Sequence, residues 1–129
     1  MAVWVRQAAA VPFSEGRVCM VTSSNRRRWV LPKGMIDPGH TPGEAALVEA
    51  WEEAGLVGGL APEPAGSYVY EKLGRECYVL VYRMTVTEVR DDWPEKGMRE
   101  RIWLPPREVL ERVEEAGLRE VLRLMFEGK

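Results

Sequence analysis

The stretch EAWEEAGL, Glu49 to Leu56, places three glutamates within five residues, beside a tryptophan, and then stops at glycine. At about 100° per residue, Glu49, Glu52 and Glu53 share one arc of a helix, roughly 100° wide. Leu56 lies on that side near the helix end, while Ala46, Leu47, Ala50, Trp51 and Ala54 occupy the rest. The small alanines allow close approach to a sheet. Thr41 is placed to cap this helix, Pro42 suits its first position, and Glu44 can return the bond of a capping box. Gly55 suits the left-handed residue that closes a helix. No lysine or arginine on the helix offsets the glutamates. Two readings follow. The face is solvated, at a cost of a few tenths of a kcal/mol per like-charge pair, roughly. Otherwise the carboxylates supply oxygen ligands of the kind Mg²⁺, Mn²⁺ and Ca²⁺ take.

Outward from this helix, Trp4–Phe13 and Arg17–Ser24 read as strands joined by Ser-Glu-Gly. A basic turn, Asn25 to Arg28, leads into the extended WVLPKG, which Pro32 and Gly34 end. SYVYEK and RECYVLVYRMTVTEV read as further strands, DDWPEKG as a polar loop and RERIWL as a short strand. Pro105 and Pro106 introduce a C-terminal helical region, with Val109, Leu110, Val113, Leu118, Val121, Leu122 and Met125 at helical spacing. This order predicts a mixed sheet with helices on its faces. A length of 129 residues suits one domain, 1–129, with a real core. The net charge of −2 gives no global attraction to nucleic acid or an anionic membrane, so any anion site must be local. No apolar stretch spans a bilayer, and the N-terminus lacks a basic-then-apolar signal segment. Cys19 and Cys77, each in an apolar run, are expected as buried free thiols in a reducing cytoplasm. With His40 as the sole histidine, carboxylates and basic residues must carry the chemistry.

Gly34 stands fifteen residues before Glu49, and the whole segment resembles the Nudix box, G-x5-E-x7-R-E-U-x-E-E-x-G-U with U aliphatic. Gly34, Glu49, Ala50, Glu52, Glu53, Gly55 and Leu56 fit it; His40 replaces the first glutamate and Val48 the arginine. The segments VTSSNRRRWVLPKGMIDPGHTPGEAA, GSYVYEK, VTEVRDDW and RERIWL are similar to the diphosphoinositol polyphosphate phosphohydrolases and their bacterial relatives. That branch removes phosphate from diphosphoinositol phosphates, and members also cleave diadenosine polyphosphates. The resemblance implies the Nudix α/β/α sandwich, a mixed sheet between helices. It also implies a hydrolase of a phosphorylated small molecule that uses Mg²⁺ or Mn²⁺.

By the same resemblance, Glu49, Glu52 and Glu53 would bind the metal, with the Gly34 carbonyl beside it, and either Glu49 or Glu53 would act as general base. Lys33, next to the box glycine, could reach a phosphate. Arg26 and Arg28 sit at a basic turn that reads equally as a phosphate contact or a solvated hairpin tip, and Arg28 also suits packing beside Trp29. Arg6, Lys72, Arg75 and Arg99 lie where related proteins have basic substrate contacts. Ser23 and Ser24 suit turn formation at least as well as phosphate binding. His40 reads as an exposed loop residue, and Trp29, Trp93 and Trp103 as packing. Trp51 and the apolar C-terminal region offer surface for a homodimer.

Val48 is the departure with consequences. In the family an arginine there pairs with a box glutamate and holds the metal site in shape. Valine leaves weaker metal binding, slower turnover, or compensation by an arginine from elsewhere, such as Arg28 or Arg75. A hydrolase is therefore expected, with a ligand-binding Nudix domain of little activity as its rival.

Overall fold

A computed structural model describes residues 4–128. Residues 1–3 and 129, which the expected domain of 1–129 includes, lie outside the described residues. The chain runs β1 (Trp4–Ser14), β2 (Arg17–Thr22), β3 (Trp29–Val30), β4 (Lys33–Met35), α1 (Pro42–Ala54), β5 (Leu56–Leu60) and β6 (Gly66–Lys72). It ends with β7 (Arg75–Val89), β8 (Arg101–Leu104), α2 (Pro106–Arg112) and α3 (Ala116–Glu127).

The sheet is organised around one parallel pair, β1 and β7, in register from Trp4 opposite Glu76 to Phe13 opposite Thr85. Parallel neighbours need a crossover, and the segment between them contains α1. Every other pairing is antiparallel, which makes the sheet mixed. The path is β3-β2-β1-β7-β5, with β4 on β1, β6 on β7 and β8 on β2.

Alternation along the strands sends successive side chains to opposite faces. Ala8, Ala10, Tyr82 and Met84 pack on one face with Ala45, Ala46, Ala50 and Ala54 of α1. Ala9, Val11, Val79 and Val81 pack on the other with Val109, Leu118 and Leu122 of the C-terminal helices. The result is the expected α/β/α sandwich. Alanines on both sides of the first interface bring α1 close to the sheet, and β4 lies beside it with Gly34 opposite Ala8.

Two features differ from the sequence expectation. LVGGL forms a strand, β5, although its two glycines weaken that reading. A register shift between Val57 and Gly58 explains one of them: a Cβ on Gly58 would stand 2.0 Å from the Thr85 carbonyl oxygen of β7. The C-terminal helical region is two helices, because Val113 is extended (φ −77°, ψ 127°). Periodicity does not show this break, since apolar side chains point inward on both sides of it.

The glycines of β5 give a matched test. Gly58→Ala must displace the β7 backbone and should cost about 1–3 kcal/mol. Gly59→Ala meets nothing within 4 Å and should stay within about 0.5 kcal/mol of the parent. Urea unfolding of the two variants checks this, and equal midpoints would contradict the register.

Candidate active site

Helix α1 carries the predicted carboxylates, and both of its ends are fixed. At the N-terminus the Thr41 N–H donates to Glu44 Oε1 (2.9 Å) and the Glu44 N–H to Thr41 Oγ1 (3.1 Å), the predicted capping box. A cap of this kind contributes roughly 1 kcal/mol. At the C-terminus an isolated helix leaves its last four carbonyls unpaired. Here each has a donor. Gly55, left-handed at φ 69°, donates its N–H to the Trp51 carbonyl (2.9 Å). The loop after β7 and the first residue of β8 supply the other three: the Glu95 N–H to Glu52 O (3.0 Å), Trp93 Nε1 to Glu53 O (3.0 Å) and Arg101 Nη1 to Ala54 O (2.7 Å). The Arg101 guanidinium also stacks on the Trp93 ring at 4.2 Å. Glycine is needed at position 55 for space as well as for φ, because a Cβ would stand 2.9 Å from Trp93 and 3.0 Å from Arg101.

On this fixed helix, Glu49 and Glu53, one turn apart, form a carboxyl pair. Glu53 is buried, and burial pushes its carboxyl up to about 8; the hydrogen bond to Glu49 acts in the same direction and Arg99 opposes it. Glu49, half-buried, is raised by burial, while its hydrogen bond to Glu53 lowers it and the charge of Glu52 raises it. Both shifts favour the protonated form of the pair. The Glu49 carboxylate also packs directly on Gly34, where a Cβ would stand 2.3 Å from its Cδ. The box glycine is thus a steric requirement of the box glutamate.

The site fits a hard divalent cation. Its donors are all oxygen, and Gly34 makes room for the Glu49 carboxylate, which any side chain at 34 would displace. Among the described residues no three His, Cys, Asp or Glu side chains already form a cage. Glu52 lies three residues from Glu49 on the same face, and its charge acts on Glu49.

Glu53 opens into a hollow of about 440 Å³ whose lining includes Lys33, Lys72, Arg28, Arg99, Ser23, Ser24, Gln7 and Tyr70. Lys33 of β4 stands over the Tyr70 ring at 5.0 Å, and burial lowers its pKa while Glu53 and Glu115 oppose the shift. Tyr70 is held by its hydroxyl, which donates to Gln7 Oε1 (2.9 Å). Carboxylate and cationic walls thus face each other across one solvent-filled space.

The structure brings Lys33, Lys72 and Arg28 to this hollow and leaves Arg6, Arg26 and Arg75 off its lining. Arg28 is spent on the break between α2 and α3, with Glu114 and Glu115 each at 2.7 Å. Arg26, at φ 61°, donates to the Gly97 carbonyl (3.2 Å) and lies 3.6 Å from Glu100. Arg6 is exposed on β1, and Arg75 pairs with Lys72 across the β6–β7 hairpin. Ser23 forms the turn, its hydroxyl donating to Asn25 Oδ1 (2.8 Å). His40 is exposed.

Neither Arg28 nor Arg75 stands in for the arginine missing at Val48. The guanidinium nearest the carboxyl pair is that of Arg99, 3.7 Å from Glu53 Oε2. Sequence reasoning missed this contact and the capping roles of Trp93, Glu95 and Arg101. DDWPEKGMRER carries no spacing signal for a loop that folds back on a helix forty residues earlier; only its unusual run of alternating charges hinted at partners elsewhere.

The carboxyl pair gives a pH signature. A carboxyl whose folded pKa lies above its unfolded value holds an extra proton when folded, so its stabilisation is complete below about 4.5 and is lost as pH rises through about 8. Protein stripped of divalent ions should therefore lose thermal stability between pH 5 and pH 8, by on the order of 5 °C. Glu53→Gln should flatten that slope. Calorimetric Tm values across the range provide the check.

Comparison with known proteins agrees with this geometry. A NUDIX domain family model matches residues 4–125. Nudix hydrolase 12, mitochondrial, of Arabidopsis thaliana is 41% identical over 121 residues, covering 84% of this chain and 59% of that protein. Diphosphoinositol polyphosphate phosphohydrolase 2 of Mus musculus is 36% identical over 92 residues, covering 68% of this chain and 50% of that protein. The chain thus spans between half and three-fifths of the length of these relatives. The C. elegans Ap4A hydrolase crystal structure superposes with a TM-score of 0.74 at 22% identity, covering 95% of each chain, and shares the fold. With the box glutamates on α1, the box glycine beneath Glu49 and a family match that runs almost end to end, this chain belongs to the Nudix family.

Proposed function

We propose that the protein is a Mg²⁺-dependent hydrolase that cleaves a phosphoanhydride bond in a diphosphate-containing substrate: a diadenosine polyphosphate, a diphosphoinositol polyphosphate or a nucleoside polyphosphate. One observation carries this reading. Glu53, paired with Glu49, lines the same hollow as Lys33 and Lys72. A diphosphate requires cations around its oxygens and a proton acceptor for the attacking water, and this hollow offers both. The relatives named above for diphosphoinositol polyphosphates and Ap4A support the choice of substrates.

Glu49, Glu52 and Glu53 would hold Mg²⁺ or Mn²⁺, with the Gly34 carbonyl beside them; once bound, the ion supplies charge neutralisation and an acidified water. The rest of the site is built by the chain itself. Lys33, fixed over Tyr70, presents its ammonium to a phosphate oxygen, and Lys72 adds a second cation at the rim. Charge-assisted contacts of this kind are stronger than neutral ones. Glu49 or Glu53 would receive the proton that leaves the attacking water.

The test is phosphate and nucleotide release from diadenosine tetraphosphate, a diphosphoinositol phosphate and nucleoside triphosphates, with and without Mg²⁺. Metal-dependent turnover is expected on at least one substrate, with Glu53→Gln reducing it by about 10²-fold or more. Ligand binding with no turnover on the whole panel would instead identify a binding domain, the reading that Val48 keeps alive.

A further inference from the structure

The glutamates of α1 stand in an electrostatic difficulty that the helix does not relieve. Glu49, Glu52 and Glu53 are joined by Glu95, whose charge acts on both members of the pair. No basic residue lies in Pro42–Ala54, and Val48, at the edge of the acidic face, is exposed and carries no charge. Of the two cations that act on Glu53, Lys33 reaches it from β4 and is aimed into the hollow over Tyr70. Arg99 reaches it from the loop between β7 and β8.

Arg99 is held on three sides. Its Nη1 donates to the Thr22 carbonyl at the end of β2 (2.8 Å), its Nε to Glu95 Oε1 (2.8 Å), and its Nη2 lies 3.7 Å from Glu53 Oε2. Its side chain is 16% exposed and that of Glu53 6%. The segment around it is equally committed. The Thr22 N–H donates to the Glu100 carbonyl (3.0 Å), and the Glu100 N–H donates to Thr22 Oγ1 (3.0 Å). Trp93, Glu95 and Arg101 of the same segment donate to the last carbonyls of α1. Loop and helix end therefore form one unit, within which Arg99 has a fixed position relative to Glu53.

We propose that Arg99 is the positioning residue of the carboxylate site: delivered by the β7–β8 loop, it fixes the Glu53 carboxylate and offsets the charge that no residue of α1 offsets. This rests on the reading of Glu49 and Glu53 as metal-binding groups, and extends it to a residue outside the box. Arg99 acts on the metal site through Glu53, and it also borders the hollow beside Glu53. Supporting groups of this kind typically change metal affinity by about 10–100-fold when removed.

The experiment reads Mn²⁺ binding by electron paramagnetic resonance, without turnover. Arg99→Ala should lose about 10–100-fold in Mn²⁺ affinity, and Arg99→Lys should recover part of the loss. Arg26→Ala, which removes the other arginine contact to this loop, should leave affinity unchanged. Adding Val48→Arg to Arg99→Ala should also restore part of the affinity, because an arginine at 48 lies four residues from Glu52 on the same face. This double variant separates charge placement from damage to the loop, and Arg99→Gln replaces Arg99→Ala should the latter fail to fold. Parent-like affinity in a folded Arg99→Ala or Arg99→Gln protein would overturn the inference, as would equal losses in the Arg26 and Arg99 variants. A parent protein that binds no Mn²⁺ would overturn the metal reading itself, a different outcome.

Discussion

The end of α1 is where helix and carboxylates conflict most. Unpaired carbonyls give a helix C-terminus partial negative charge, which favours cations there and disfavours anions. This helix carries Glu49, Glu52 and Glu53 over its last turns and no basic residue at all. The arrangement is tolerable because each of the last four carbonyls has a donor, three of them from the loop after β7 and the first residue of β8. Arg101 lends its full charge to that cap and Arg99 faces the glutamates from the same segment. Without the loop, the carboxylate pair would sit at a bare, negatively polarised helix end.

The sheet sets the other half of the geometry. Alanines on α1 and β1 bring the helix close enough for Glu49 to rest on Gly34, and β4 is held there by pairing with β1. Lys33 is the next residue along that strand, so the register that places glycine under one carboxylate also aims an ammonium into the hollow. Gly34 beneath Glu49 and Lys33 at the hollow thus occupy adjacent positions of β4. This couples them more rigidly than loops would.

Most of this was legible where physics is local. The capping box at Thr41 and Glu44, the closing glycine at 55 and the shared face of the glutamates all follow from spacing along one helix, and the structure reproduces each. What escaped depends on contacts distant in sequence. Arg28 reads as a candidate phosphate ligand, yet its charge goes to Glu114 and Glu115 eighty-six and eighty-seven residues later. Arg99 reads as one basic residue among several, and only the return of its loop onto α1 gives it a partner. LVGGL escaped for a different reason: its Gly58 makes room for the β7 backbone, so it signals a bulge and not the absence of a strand.

On the reading proposed above, a divalent cation at Glu49 and Glu53 displaces the proton that burial favours on the pair. The most direct measurement is proton release on adding Mn²⁺ to ion-free protein at pH 6.5, by calorimetry in buffers of different ionisation enthalpy. Release of about one proton per ion, abolished by Glu53→Gln, is the predicted result. Binding with no proton release, or release that survives Glu53→Gln, would place the cation elsewhere and contradict it.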